Sequence, residues 1–316
     1  MNNKLQFRKA LDLINQSDRI FLTTHEGTDG DDLGSALGMY WFLKSIGKQV
    51  EIVIKDGVPP RYFFLEGHEV VNETFKSPDF DLVITFGCNK IARTGFKQLE
   101  GIKVPIINFD HHPDNTNFGT INIVDPETSS VAELVYYFLK FVDAEINQKI
   151  ATCILSGIVF DTGGFKHENT TSESLEVSAQ LMKRGARIDK IVFHLFGTKS
   201  PKAIKAWSRG LENARFDPEK KMIFSVITSD DLKELGDEED MFEGFVEMLN
   251  TVPHARFALF LHQDGDFVKG SLRSEPHKKV DVSKIAKSFG GGGHKLASGF
   301  KVKGKLVRKG DNWRIK

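Results

Sequence analysis

Cysteine is close to absent from this chain, 2 in 316 residues, and both Cys88 and Cys153 lie inside apolar stretches. That excludes a disulfide framework and a thiolate zinc site and leaves two buried free thiols as the expectation. Net charge is missing too, since 43 Lys+Arg meet 43 Asp+Glu. A neutral chain does not hold long duplex nucleic acid by neutralising its phosphates, although short or monomeric phosphates remain open as ligands. No apolar run approaches the roughly 20 residues that span a bilayer. The opening stretch MNNKLQFRKALDLINQ mixes charge with apolar residues at helical spacing and has no small-residue cleavage site, unlike a signal peptide. A cytoplasmic protein with no membrane partner is therefore expected. Tyr and Trp are scarce, 4 and 3 against 26 Phe, a bias from which no function follows.

Hydrophobic residues make up 40% of the chain and charged residues 27%, which excludes a mainly disordered polypeptide. A length of 316 residues exceeds a typical single domain, so two are expected. Residues 5–14 carry a helical apolar face, 19–24 (RIFLTT) read as a short buried strand, 33–46 as a helix stopped by Gly47, and 49–54 (QVEIVI) as a second strand. Further buried strands are expected at 82–86, 105–109 and 120–124, interleaved with helical patterns such as 131–141 and 150–160. This alternation predicts a doubly wound α/β domain, a mostly parallel sheet covered on both faces. The pattern then changes. Ser200-Pro201 reads as a helix start, strands are expected at 222–228, 256–262 and 267–273, and Gln263-Asp264-Gly265-Asp266 marks a hairpin. A smaller α+β domain follows, with the two domains set at 1–197 and 198–316, and the basic tail KVKGKLVRKGDNWRIK reads as solvated surface, with RNA contact as the other reading.

Polar residues concentrate at the ends of the apolar strands, the edge at which open α/β sheets bind ligands. In HEGTDGDDLGS, His25, Asp29 and Asp31 put one imidazole and two carboxylates on a single turn, a set that suits Mn2+ or Mg2+. The same residues allow a plainer reading, with Asp31 or Asp32 capping the helix and Asp29-Gly30 turning the chain. Asp110, His111 and His112 follow another expected strand, and packing alone gives no reason for three titratable groups there. Asp161 ends an apolar helix, where the helix dipole disfavours an anion unless a cation compensates it. In the second domain four consecutive glycines at 290–293 precede His294; they let backbone N–H groups approach an anion, or simply form a flexible loop. Arg273 and Ser274 offer a cation and a hydroxyl to a phosphate, or an exposed strand edge.

Taken in order, HEGTDGDDLGS, FDHHPD, GIVFDTGGF and GGGGHKLASGF resemble the motifs of the DHH phosphoesterase superfamily. The likeness is to its nano-RNase and pAp-phosphatase branch with a DHH-associated C-terminal domain, and it covers nearly the whole chain. The resemblance implies two Mn2+ ions, with Mg2+ or Co2+ as substitutes, in an active cleft between the domains. His25 and Asp29 would hold one ion, and Asp31, His111 and Asp161 the other. His112 would face the substrate phosphate and Asp110 would orient the histidine pair, these two forming the catalytic group. Arg273, Ser274, Gly291, Gly292, Gly293 and His294 would bind the substrate's other phosphate or its nucleotide end. The implied activity is hydrolysis of short RNA oligonucleotides and of 3′-phosphoadenosine 5′-phosphate, with nucleotide phosphates as ligands and a homodimer compatible with it. Linear and cyclic dinucleotide phosphodiesterases share the scaffold and stand as the alternative.

One residue departs from that family. Its second motif places a metal-bridging Asp at the end of a strand, ahead of Arg-x-Gly, but in ITFGCNKIARTG the place belongs to Gly87. Asp79 and Asp81 lie at the other end of that strand, too far to substitute. Cys88 or Asn89 could approach a metal without supplying a bridging carboxylate, and Thr28, where the family commonly has Pro, is a milder change. The departure implies a weakened metal site with low activity, or a nucleotide-binding pseudoenzyme. Gly87→Asp is then expected to raise metal affinity and turnover, unless the backbone there requires a positive φ.

Overall fold

Residues along each apolar run face alternate sides, and burial of both sides decides the architecture. In the computed structural model, which describes residues 3–76, 79–197, 199–236, 241–309 and 312–316, six runs pair as one sheet. They are β1 (Arg19–Thr24), β2 (Gln49–Val53), β3 (Val71–Asn72), β4 (Leu82–Phe86), β5 (Ile106–Asp110) and β6 (Ile121–Val124). Every neighbouring pair is parallel, in the order β3-β2-β1-β4-β5-β6. Ile20, Leu22, Ile84, Ile107 and Phe109 join the core on one face, Phe21, Val83 and Ile106 that on the other, as a side-chain period of two requires. Because both faces are covered, the strands read in sequence as unbroken apolar runs. On the second face Thr85 and Asn108, opposite each other on β4 and β5, share a buried hydrogen bond of 2.8 Å, and the Asn108 amide donates to the Cys88 carbonyl. Both cysteines are free and buried, as expected.

The two covering layers differ. Helices α1 (Lys4–Gln16), α2 (Gly30–Ser45), α3 (Val131–Phe141), α4 (Gln148–Asp161), α5 (Ser172–Lys183) and α6 (Ile188–Val192) all contribute to the core on the Leu22 face. The other face is closed by single 3-10 turns at Ile91–Thr94 and Lys97–Leu99 and by Phe75, Phe80 and Phe96 packed around Phe21. The doubly wound expectation is thereby refined, since this second layer carries no α-helix among the described residues. The connection after β4, which packs on this face, is interrupted by Gly87, Gly95 and Gly101, which deny a helix enough uninterrupted length.

Helix α2 crosses α4 at very short range on a ridge of glycines spaced four apart. A Cβ added to Gly34 would lie 2.4 Å from the Cys153 carbonyl oxygen, one on Gly38 2.9 Å from Ile154, and one on Gly30 2.7 Å from Phe160. Gly157 answers from α4, where a Cβ would come within 2.6 Å of Ala132 and 3.0 Å of Asp31 Oδ1. This contact sets the first turn of α2 against the end of α4, where Asp161 stands.

The chain divides into two compact units, Met1–Thr198 and Lys199–Lys316. In the second, α7 (Pro201–Glu212) starts at Ser200, whose side chain accepts the Ala203 N–H. Strands β7 (Arg215–Asp217), β8 (Met222–Ile227), β9 (Phe257–Asp264), β10 (Phe267–Arg273), β11 (Gly292–Gly293) and β12 (Ala297–Lys303) form a sheet in the order β11-β12-β10-β9-β8-β7. It is antiparallel except where β8 meets β9. Gly265-Asp266 makes the expected hairpin turn between β9 and β10, with Gly265 at φ +56°. Helices α8 (Ser229–Leu235), α9 (Phe245–Leu249) and α10 (Val282–Ser288) complete the unit. The basic tail is not merely solvated surface. β13 (Leu306–Lys309) pairs with β14 (Asn312–Ile315), and Leu306, Trp313 and Ile315 pack with Val226 and Val268, because the tail's apolar residues alternate with its charges.

The glycine ridge makes a direct prediction. Gly34→Ala forces a methyl against a backbone carbonyl that cannot rotate away, so it should destabilise the chain by about 1–3 kcal/mol in urea unfolding. An unchanged unfolding midpoint would mean that α2 and α4 are not held at this distance by packing.

Candidate metal centre

The strand order reverses between β1 and β4, so the chains leaving these strands part in opposite directions and open a crevice at the carboxyl edge of the sheet. His25 follows β1 there, Gly87 follows β4 and Asp110 ends β5. The His25 ring is fixed from behind, its Nδ1 2.7 Å from the Glu26 carbonyl, which turns Nε2 inward to within 2.7 Å of Asp32 Oδ2. Asp29 is the N-cap of α2, accepting the N–H groups of Asp31 and Asp32 at 2.9 and 3.1 Å. The capping role that the sequence offered to Asp31 or Asp32 thus falls to Asp29. Donor atoms of His25, Asp29 and Asp32 all lie within 4.8 Å of one another.

A second group, Asp31, His111 and Asp161, meets the same 4.8 Å limit. Asp31 reaches across to the N-terminus of α3, its two oxygens accepting from Val131 and Ala132 N–H at 2.7 and 2.9 Å, a seat that favours an anion. Asp161 Oδ2 accepts from the Asn169 amide at 3.0 Å and lies 3.8 Å from His111 Nε2. Beside this group the wholly buried Asp110 takes His112 Nδ1 at 2.6 Å and the backbone N–H groups of His111 and His112 at 2.8 and 3.2 Å on Oδ1, with the Asn115 amide on Oδ2. Its carboxylate therefore orients one histidine ring rather than the pair. The His111 ring is set from elsewhere, its Nδ1 3.4 Å from the Thr128 carbonyl.

Burial raises Asp31 well above the usual carboxylate range, and Asp161, Asp32 and Asp29 add to it by like-charge repulsion. Burial lifts Asp32 to about 6, with Asp29 adding and His25 opposing. Burial also takes Asp161 to about 6, against His111 and with Asp29. For His25 burial disfavours the charge, yet the hydrogen bond and charge of Asp32 overcome it and raise the ring to about 9. His112 is raised by its hydrogen bond to Asp110; burial pushes Asp110 up, but the hydrogen bond and charge of His112, the Asn115 amide and the His112 N–H together lower it. Crowded carboxylates whose proton affinity is raised for want of a counter-charge, set beside imidazole nitrogens, are a donor set of oxygen and nitrogen atoms that fits divalent cations. Such an ion would replace the proton between His25 and Asp32 and screen the repulsion around Asp31.

Gly87 contradicts the expectation attached to it. Its φ is +63°, and a Cβ there would fall 1.9 Å from Asp32 Oδ1, so Gly87→Asp would collide with a carboxylate already in place and would strain the backbone. Cys88 does not join either donor group. The Cys88 thiol meets the Phe86 carbonyl and the Asn89 amide donates to Asp114 at 2.9 Å. Asp79 and Asp81 pair with Arg19, at the amino end of β1. Asp32, which the sequence offers only as a helix cap, is the donor missing from the expected metal ligands. The signal available in sequence is a third Asp in HEGTDGDDLGS beside a second motif whose acid is missing at Gly87.

In the second unit Arg273 Nε lies 2.7 Å from Glu247 Oε1, with a third of its side chain exposed. Ser274 is buried and its hydroxyl donates to the Arg256 carbonyl at 2.8 Å. The glycine run is more committed than an open anion cradle. The N–H groups of Gly290 and Gly291 donate to carbonyls of α10, that of His294 donates to Ala297, and Gly292 and Gly293 pair with β12. A Cβ on Gly291 would lie 2.2 Å from the Gly299 carbonyl oxygen, so this glycine is required for strand contact. His294 is exposed.

Comparison with known proteins agrees with this architecture. The model of the DHH family, N-terminal domain, matches residues 19–158, and that of the DHHA1 domain matches 219–310. The bifunctional oligoribonuclease and PAP phosphatase NrnA of Thermus thermophilus is 31% identical over 287 residues, 90% of this chain and 84% of that one. NrnA of Bacillus subtilis is 27% identical over 293 residues, covering 92% and 91%. The crystal structure of an exopolyphosphatase-related protein from Bacteroides fragilis superposes with a TM-score of 0.89 at 25% identity, over 96% of this chain and 92% of that one. With its motifs gathered at one sheet edge and a relative of this identity along nine-tenths of its length, the chain belongs to the DHH family, a DHH N-terminal domain followed by a DHHA1 domain.

Proposed function

We propose that this chain is a metal-dependent phosphoesterase that degrades short RNA oligonucleotides and removes phosphate from 3′-phosphoadenosine 5′-phosphate. The observation that carries this reading is the pair of donor groups, His25 with Asp29 and Asp31 with His111 and Asp161, at the reversal point of the sheet and next to a histidine that Asp110 holds in place. The names of the relatives in Thermus thermophilus and Bacillus subtilis supply the substrate class, and a chain of zero net charge suits short substrates better than long duplexes. Mn2+ is the proposed ion, with Mg2+ and Co2+ as substitutes, because mixed carboxylate and imidazole donors serve all three. Bound at these groups, two divalent cations would polarise the phosphoryl group and lower the pKa of the attacking water. The chain's own part is then positional and electrostatic. Asp110 aims the His112 ring and favours its charged form, through which it can meet the negative charge that grows on the phosphoryl oxygens. Asp110 acts through His112 and is a positioning residue. The second domain would hold the remainder of the nucleotide through Arg273 and His294, with Gly291, Gly292, Gly293 and Ser274 shaping the backbone that presents them.

Purified protein with Mn2+ is expected to release mononucleotides from RNA of two to five residues and inorganic phosphate from the adenosine bisphosphate. No release above a chelated control with Mn2+, Mg2+ or Co2+ would sink the reading. Arg273→Ala should raise KM and leave metal content unchanged, through loss of a charge-assisted phosphate contact worth about 1.5–3 kcal/mol; an unaltered KM on both substrates removes Arg273 from the site. His112→Asn should instead lower kcat, by about 10²–10⁴-fold if the ring moves a proton or meets the transition-state charge, again at constant metal content.

A further inference from the structure

The absent acid at position 87 and the extra acid at position 32 are two halves of one exchange. Gly87 is held by its N–H, which donates to the Phe109 carbonyl at 3.0 Å, in a left-handed conformation with φ +63°. The space its side chain would enter is filled, because a Cβ there would lie 1.9 Å from Oδ1 and 2.4 Å from Cγ of Asp32. Asp32 comes from a different element, the first turn of α2, and is 3% exposed. It occupies the third helical position after the N-cap, from which an acid commonly reaches back to the N-cap N–H. Here its Oδ2 turns to His25 Nε2 at 2.7 Å instead. A buried ion pair of carboxylate and imidazole is costly to desolvate, and an apolar side chain would pack at lower cost if the position were purely structural.

We infer that Asp32 is a metal ligand of this chain, supplying from α2 the carboxylate that the family's second motif otherwise supplies from the end of β4, and that Gly87 is glycine in order to leave room for it. The inference rests on the metal-centre reading above and deepens it. With Asp32 included, the donors divide three and three, His25, Asp29 and Asp32 against Asp31, His111 and Asp161. The group that motif matching left with two ligands is complete. The number of carboxylates is also unchanged by the exchange, since Asp32 joins Asp29, Asp31 and Asp161 where an acid at 87 would have made the same total, so the negative charge facing two dications is preserved. Gly87 is then no mark of a pseudoenzyme.

The exchange predicts a reciprocal dependence that simple packing would not produce. Mn2+ binding to the full chain, measured by isothermal titration and by metal content after equilibrium dialysis, should give two ions per chain. Asp32→Asn, which keeps the shape and removes the charge, should lose one of them or weaken it by more than about tenfold, the loss typical of removing even an outer partner of a metal ligand. Gly87→Asp alone should also bind less metal, since its side chain displaces Asp32. The double variant Asp32→Ala with Gly87→Asp should bind two ions again, because Asp is among the few residues that tolerate a left-handed backbone, and circular dichroism melting of each variant reports its fold. Two ions at unchanged affinity in Asp32→Asn would overturn the inference and leave the metal centre standing. A folded double variant that binds no better than Asp32→Asn would overturn the exchange in the same way. A parent chain that binds no Mn2+, Mg2+ or Co2+ would overturn the metal-centre reading, and this inference with it.

Discussion

Mutual repulsion among four crowded carboxylates, two buried and two half-buried, is the constraint around which the first unit is arranged. Asp29, Asp31, Asp32 and Asp161 are drawn together at one edge of a parallel sheet, and each is balanced by something specific. Asp31 takes two N–H groups at the start of α3, Asp29 takes two at the start of α2, Asp161 takes the Asn169 amide, and Asp32 faces His25. Helix N-termini and imidazoles are the partial and full positive charges that a fold can supply here, and the burial-driven rise of Asp31, Asp32 and Asp161 indicates that they fall short. The remaining deficit of positive charge is one that divalent cations would make good.

Such crowding needs a scaffold that cannot relax by moving apart. The glycine ridge of α2 against α4 provides it, because Gly30, Gly34 and Gly38 bring one helix to within a side chain's thickness of the other's backbone. A larger residue at any of them would separate Asp31 from Asp161 by widening the helix pair. The reversal of strand order between β1 and β4 does the complementary work, opening the crevice into which His25 and Asp110 emerge from neighbouring strands.

The Gly87 and Asp32 pair shows how a site can be preserved while its motif changes. What the chemistry needs is a carboxylate in a small volume beside His25, and a side chain from α2 reaches that volume as readily as one from the end of β4. Two positions far apart in sequence then become dependent on each other, since both cannot fill the same space. A residue missing from a motif is for this reason weak evidence of a missing function until the neighbouring elements have been placed.

Much of the molecule could be read from the chain itself. Unbroken apolar runs such as RIFLTT and LVITF can be satisfied only by strands buried on both faces, and His25, Asp29, Asp31, His111 and Asp161 stand at the ends of strands or helices where the pattern of polarity changes. The hairpin at Gly265-Asp266 was equally plain, because few turns other than a tight one suit that pair between two apolar runs. Other features depended on distance across the fold, which no local pattern encodes. The role of Asp32 rests on the approach of α2 to β4, the commitment of the glycine run at 290–293 rests on its contact with β12, and the aim of Asp110 at His112 rather than at both rings rests on where Thr128 comes to lie. Local sequence determines which residues are buried, charged and turned, through propensity and periodicity; which of them share a few cubic ångströms is decided only when helices and strands distant in the chain are packed together.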